Sequence, residues 1–101
     1  MIDFDAVVRF EWDSGNGRKR EVKHGVTQAE AEEVFFNQPL LVSEDGKHSE
    51  KEGRYLALGK TNKARVLTVI FTLRQNGTLI RVISARDQHR KERILYDQAH
   101  H

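Results

Sequence analysis

Cysteine is missing from this sequence, and proline, methionine and tryptophan each occur only once. Without cysteine neither disulfides nor thiolate zinc sites are available. That composition suits a reducing compartment, and a cytoplasmic location is the expectation. No apolar run approaches the roughly 20 residues that a membrane span requires. The opening stretch MIDFDAVVRFEWD lacks the basic-then-apolar order of a secretory signal. There is no glycine-rich phosphate loop, no HExxH and no GxSxG, and the five histidines are too scattered to suggest a metal site from spacing.

What is present fits one compact domain over residues 1–101, with 38% hydrophobic residues to build a single small core. Net charge is +2 but is unevenly spread. Residues 1–52 carry 7 Lys/Arg against 12 Asp/Glu, and residues 53–101 carry 10 against 3. A basic second half suggests an anionic partner, and phosphate backbones are the commonest such partner.

The order of elements follows from local signals. FEWD, following AVVRF, reads as a first strand. SGNGRKR is a glycine-interrupted polar stretch, expected to be a loop or at most a weak short helix running to Lys23 and His24 before Gly25. Thr27-Gln28-Ala29-Glu30 has the form of a capping box, and Ala31, Val34 and Phe35 then recur at helical spacing. Pro39 ends that helix near Phe36 or Asn37. LLVS, RYLALGK (54–60), VLTVIFTL (66–73) and LIRVISA (79–85) read as strands. Asp87 is the expected N-cap of a last helix running to about Asp97.

Asn76-Gly77 is a strong hairpin signal, because a type I′ turn needs positive φ at both central positions. The implied register sets Arg74 opposite Leu79, Leu73 opposite Ile80 and Thr72 opposite Arg81. Alternation then gathers Leu67, Val69, Phe71, Leu73, Ile80 and Val82 on a core face. Thr68, Ile70, Thr72, Arg74, Arg81 and Ile83 fall on the other face, where Arg74 and Arg81 are diagonal neighbours roughly 7 Å apart at the backbone.

FEWD, KHGV, HSEKEGRYLALG and RVISARDQHRKERILY resemble, in order and spacing, the BrnT toxins of bacterial type II toxin–antitoxin systems. The resemblance runs from about Phe10 to Tyr96. It implies a RelE-like α+β fold, a small mostly antiparallel β-sheet packed with two or three α-helices. It implies a ribonuclease that cuts RNA without a metal or other cofactor and halts translation. It further implies a BrnA-like antitoxin that neutralises the toxin and carries the contact with DNA, in a toxin–antitoxin heterotetramer or with the toxin as a homo-oligomer. Where similar members carry a lysine and then an asparagine after the tryptophan, this chain has Asn16 and Arg20.

Metal-free RNA cleavage needs a base for the 2′-hydroxyl, an acid for the leaving 5′-oxygen and cations for the charge that builds on phosphorus. Arginine suits the last task because its planar fork grips phosphate and never deprotonates. Arg74, Arg81 and Arg86 are therefore phosphate-binding candidates, with Arg81 placed in the catalytic group. Arg86 is expected just past the last strand, beside a helix N-terminus that also attracts anions. His24 and His48 are acid–base candidates, the latter on the strength of the resemblance, and Lys23 and Arg54 are candidates for RNA contact. Arg54 has a plainer alternative in pairing with Glu50 or Glu52. Glu92 and Tyr96 share a helix face. Glu92 is a candidate base or an orienter of an arginine, and Tyr96 a candidate for stacking on RNA or for ordinary helix packing. Trp12 reads as a core anchor. The alternative to a nuclease is a noncatalytic, degenerate toxin-like module whose basic half docks an antitoxin or other acidic partner.

Overall fold

The computed structural model describes residues 2–12, 24–45 and 53–99. Lys23 and His48, with Asn16, Arg20, Glu50 and Glu52, lie outside the described residues. Five strands form one mixed sheet in the order β1-β5-β4-β3-β2. They are β1 (Arg9–Trp12), β2 (Leu41–Glu44), β3 (Arg54–Lys60), β4 (Val66–Arg74) and β5 (Leu79–Asp87). The helices are α1 (Gln28–Glu33), continued by a 3-10 turn over Val34–Phe36, and α2 (Arg90–Ala99). The α+β class expected from the sequence is the one observed. Strand β1 runs parallel to β5, and every other pairing is antiparallel.

Local chemistry explains most boundaries. Thr27 Oγ1 accepts from the Glu30 amide at 3.1 Å, and Glu30 Oε1 accepts from the Thr27 amide at 3.0 Å. This reciprocal capping box satisfies two donors that the first turn leaves without helical partners. At the hairpin, Asn76 and Gly77 adopt φ of 58° and 84° as the turn requires, and Gln75 joins them at 51°. The register beyond the turn is the expected one, with Arg74 opposite Leu79 and Thr72 opposite Arg81.

Midway along β5 the simple alternation breaks. Phe71 is opposite Val82 but Ile70 is opposite Ser84, so Ile83 is an extra residue in a β-bulge. A bulge exchanges the faces of everything beyond it. Ile83 thus drops out of the row assigned to it above. Ala85 joins the core, and Arg86 comes to the same face as Arg81.

One sheet face carries the core. Val26, Ala31 and Val34 from the α1 side pack on Ala57, Leu67, Val69, Phe71, Ile80, Val82 and Ala85. Burying a large apolar side chain such as Phe71 contributes roughly 1.5–3 kcal/mol. Phe71 also meets Phe35 edge-on at 5.1 Å and stacks on Tyr55 at 5.4 Å. Gly59 is required by close approach, since a Cβ there would lie 2.5 Å from Val34 Cγ1.

The last helix starts later than expected. Strand β5 continues through Asp87, whose carboxylate accepts from Arg65 at 2.8 Å instead of capping a helix. Helix α2 is capped in reverse, by Glu92 Oε1 accepting the His89 amide at 2.8 Å. Glu92 reaches Thr68 across the sheet face opposite the core, so α2 covers one end of that face. No described helix is long and apolar enough to cross a membrane.

Candidate functional site

The part of that second face beyond α2 is where the arginines collect. Register alone lines up four residues on four neighbouring strands: Arg54 on β3, Thr72 on β4, Arg81 on β5 and Glu11 on β1. Adjacent strands lie about 4.8 Å apart, so a single small residue separates the two arginines. Thr72 is 2% exposed, and its hydroxyl donates to the Gly53 carbonyl at 2.7 Å. The result is a low floor flanked by two guanidinium-bearing side chains, with Arg74 diagonal to Arg81 at the hairpin end. All three arginines are half-buried and each makes at least one further contact within the fold. Arginines held in this way can present their remaining donors to an anion without first losing much side-chain freedom.

Glu11 escapes sequence reasoning, although alternation contains the signal. Its neighbours Phe10 and Trp12 belong to the core side. Phe10 packs on Phe35 at 5.5 Å, and Trp12 Nε1 donates to Glu32 at 2.8 Å. The residue between them must face the other way. Its carboxylate stands 3.7 Å from Arg81 Nη1, with 38% of the Glu11 side chain and 27% of the Arg81 side chain exposed.

A second arginine–glutamate pair sits further along the same face. Arg86 grips both oxygens of Glu92, at 2.8 and 3.0 Å. Thr68 Oγ1 and the His89 amide donate to the same carboxylate, at 2.9 and 2.8 Å. Burial pushes the Glu92 carboxyl up, but the Arg86, His89 and Thr68 hydrogen bonds together outweigh it and hold its pKa at about 2. A carboxylate with four donors on it is a poor proton acceptor and a firm anchor for Arg86. Of its two expected roles, this geometry favours the orienting one. Thr68 lies four residues from Thr72 along β4, so the two pairs are roughly 13 Å apart.

Tyr96 is 2% exposed, and its hydroxyl donates to the Pro39 carbonyl at 2.6 Å. The ring therefore packs α2 onto the sheet, the plainer of its two expected roles, and is too buried to stack on RNA. His24 is exposed, in a turn with φ of 60°. The next residue, Gly25, accepts from Arg65 at 3.1 Å, and Arg65 also grips Glu30 and Asp87. That network belongs to the Asp87 end of the sheet. Asp87 faces Leu67, five residues along β4 from Thr72, a separation of roughly 17 Å. The structure thus brings Arg54, Arg74 and Arg81 together with Glu11, and Arg86 with Glu92, and it leaves His24 near neither Thr72 nor Arg81.

Among the described residues no group of three or more His, Asp or Glu side chains is placed to hold a metal ion. A groove of about 710 Å³ opens on the core side, near Phe4, Val42, Tyr55 and Leu73, with Asp3 and Glu44 in its lining. An apolar wall with carboxylates offers nothing to a polyanion, so the arginine face is the better candidate site.

Residues 12–92 match the family described as ribonuclease toxin, BrnT, of type II toxin–antitoxin system. No curated protein gives a match.

Proposed function

Because the chain belongs to the BrnT family of ribonuclease toxins, we propose that it acts as a single-domain endoribonuclease over residues 1–101, cutting RNA without a metal and so halting translation. The observation that carries this reading is the row Arg54–Thr72–Arg81 with Arg74 beside it. It gives a polyanion several forked donors on one stretch of sheet, where each phosphate contact adds salt-sensitive affinity. Arg81 holds the scissile phosphate and stabilises the charge that develops on it, flanked by Arg54 and Arg74. Arg86, locked by Glu92, extends the track towards a neighbouring phosphate. Lys23 remains a candidate for RNA contact and His48 for acid–base work, His24 stands at the Asp87 end of the sheet, and Glu92 serves by orienting Arg86. No cofactor is required by this chemistry. A BrnA-like antitoxin, acting in the cytoplasm, neutralises the activity and carries DNA contact for the complex, with the toxin as a homo-oligomer or in a toxin–antitoxin heterotetramer.

The test is cleavage of a long free RNA in EDTA by the wild-type chain and by Arg81→Ala. Wild-type cleavage with a loss of about 10²–10³-fold in the variant, at an unchanged circular-dichroism spectrum, supports the reading. Equal cleavage by both overturns the site. A wild-type chain that binds RNA but leaves it intact favours the noncatalytic module.

A further inference from the structure

We propose that Glu11 is the general base of the cleavage reaction, taking the proton from the 2′-hydroxyl beside the phosphate that Arg81 holds. The assignment rests on the ribonuclease reading above and supplies the group that reading leaves open. A base must stand next to the phosphate-binding residue, be reachable by substrate and have lone pairs to spare. Glu92 fails the last condition, since Arg86, Thr68 and the His89 amide occupy its oxygens. His24 fails the first, because its turn is tied through Gly25 and Arg65 to Asp87 at the other end of the sheet.

Glu11 meets all three conditions. Its backbone is in register with Arg81, and its Oε1 is 3.7 Å from Arg81 Nη1, longer than a hydrogen bond. The carboxylate is more than a third exposed. The same arginine that draws the phosphate therefore stands beside the proton acceptor, which keeps the acceptor within reach of the neighbouring 2′-hydroxyl. Both flanking residues fix the strand from the core side, Phe10 by its ring against Phe35 and Trp12 by its bond to Glu32. Glu11 is thereby presented without being part of the packing.

The step balances simply. The 2′-oxygen forms a bond to phosphorus as its proton passes to Glu11. The bond from phosphorus to O5′ breaks, and the departing oxygen takes a proton from solvent water. Glu11 then returns its proton to solvent. The products are a 2′,3′-cyclic phosphate and a 5′-hydroxyl.

The experiment is single-turnover cleavage of a 5′-labelled RNA in EDTA by the full chain, with Glu11→Gln and Glu11→Asp beside it. Binding of a 2′-O-methyl RNA, which cannot react by this route, is measured in parallel. Glu11→Gln is expected to lower the cleavage rate by about 10²–10⁴-fold, with binding of the 2′-O-methyl RNA equal to wild type or tighter. Glu11→Asp recovers part of the rate, and the wild-type product carries the cyclic end. Cleavage by Glu11→Gln within threefold of wild type overturns the assignment alone. A loss of rate matched by an equal loss of binding also overturns it, because the residue is then structural. Wild type that binds the 2′-O-methyl RNA yet cuts no RNA overturns the assignment together with the ribonuclease reading.

Discussion

Arg86 and Arg81 each face a glutamate on the same side of the sheet, one supplied by helix α2 and the other by edge strand β1. The two pairs share a chemistry and differ in everything else. Glu92 is 17% exposed and accepts four hydrogen bonds. Glu11 is 38% exposed and stands just outside hydrogen-bond distance of its arginine. The first carboxylate spends its lone pairs on the fold, fastening α2 to β4 and β5. The second leaves them available. What separates an anchor from a reactive group here is how many donors each carboxylate already serves.

The largest effect is expected from Glu92→Ala. It removes hydrogen bonds to a charged group and leaves Arg86 three-quarters buried, at a cost of about 1.5–3 kcal/mol. In a domain of this size each kcal/mol lowers Tm by roughly 4–8 °C, and thermal unfolding followed by circular dichroism measures it. Glu11→Gln should leave Tm nearly unchanged in the same experiment. Equal destabilisation by the two would erase the distinction.

Acid offers a gentler test. The Glu92 carboxyl lies at about 2 when folded, against 4.5 for the free group. A depressed folded value contributes stability that is present above pH 4.5 and is lost as pH falls towards 2. Glu30 and Asp87 are also lowered, by the Thr27 amide and by the Arg65 guanidinium respectively, and act in the same direction. Tm of the wild type should therefore fall steeply across this window. The slope should be shallower in Glu92→Gln. The smallest effect is expected from Asp87→Asn. Its side chain is 63% exposed, and solvent screening limits such a pair to about 0–1 kcal/mol.

Much of this arrangement was legible because its causes are local. Four residues announce the capping box, two announce the hairpin, and the hairpin fixes the pairing of Thr72 with Arg81. The misses have non-local causes. Nothing within RFEW says that it pairs parallel with β5, so Glu11 could not be set beside Arg81. The Asp87 carboxylate is taken up by Arg65, far off in sequence, so the local signal for a helix cap at Asp87 misleads. For Tyr96 the helix spacing leaves RNA contact and packing both open, and the choice is made by Pro39, far away in sequence, which accepts its hydroxyl. The bulge at Ile83 has no signature in RVISARD, because Ile and Val suit either face of a strand.

That bulge carries a consequence for parity. A strand deals its side chains to its two faces by odd and even number, and β5 changes the rule halfway. Before Ile83 the odd residues face α2's side, and after it the even ones do. Deleting Ile83 would restore a single rule and exchange the last four residues, Ser84 to Asp87, between faces. Arg86 would turn towards Val34 and α1, Asp87 would turn away from Arg65, and Ala85 would leave the core. One supernumerary isoleucine thus determines which way the charges at the end of the strand point.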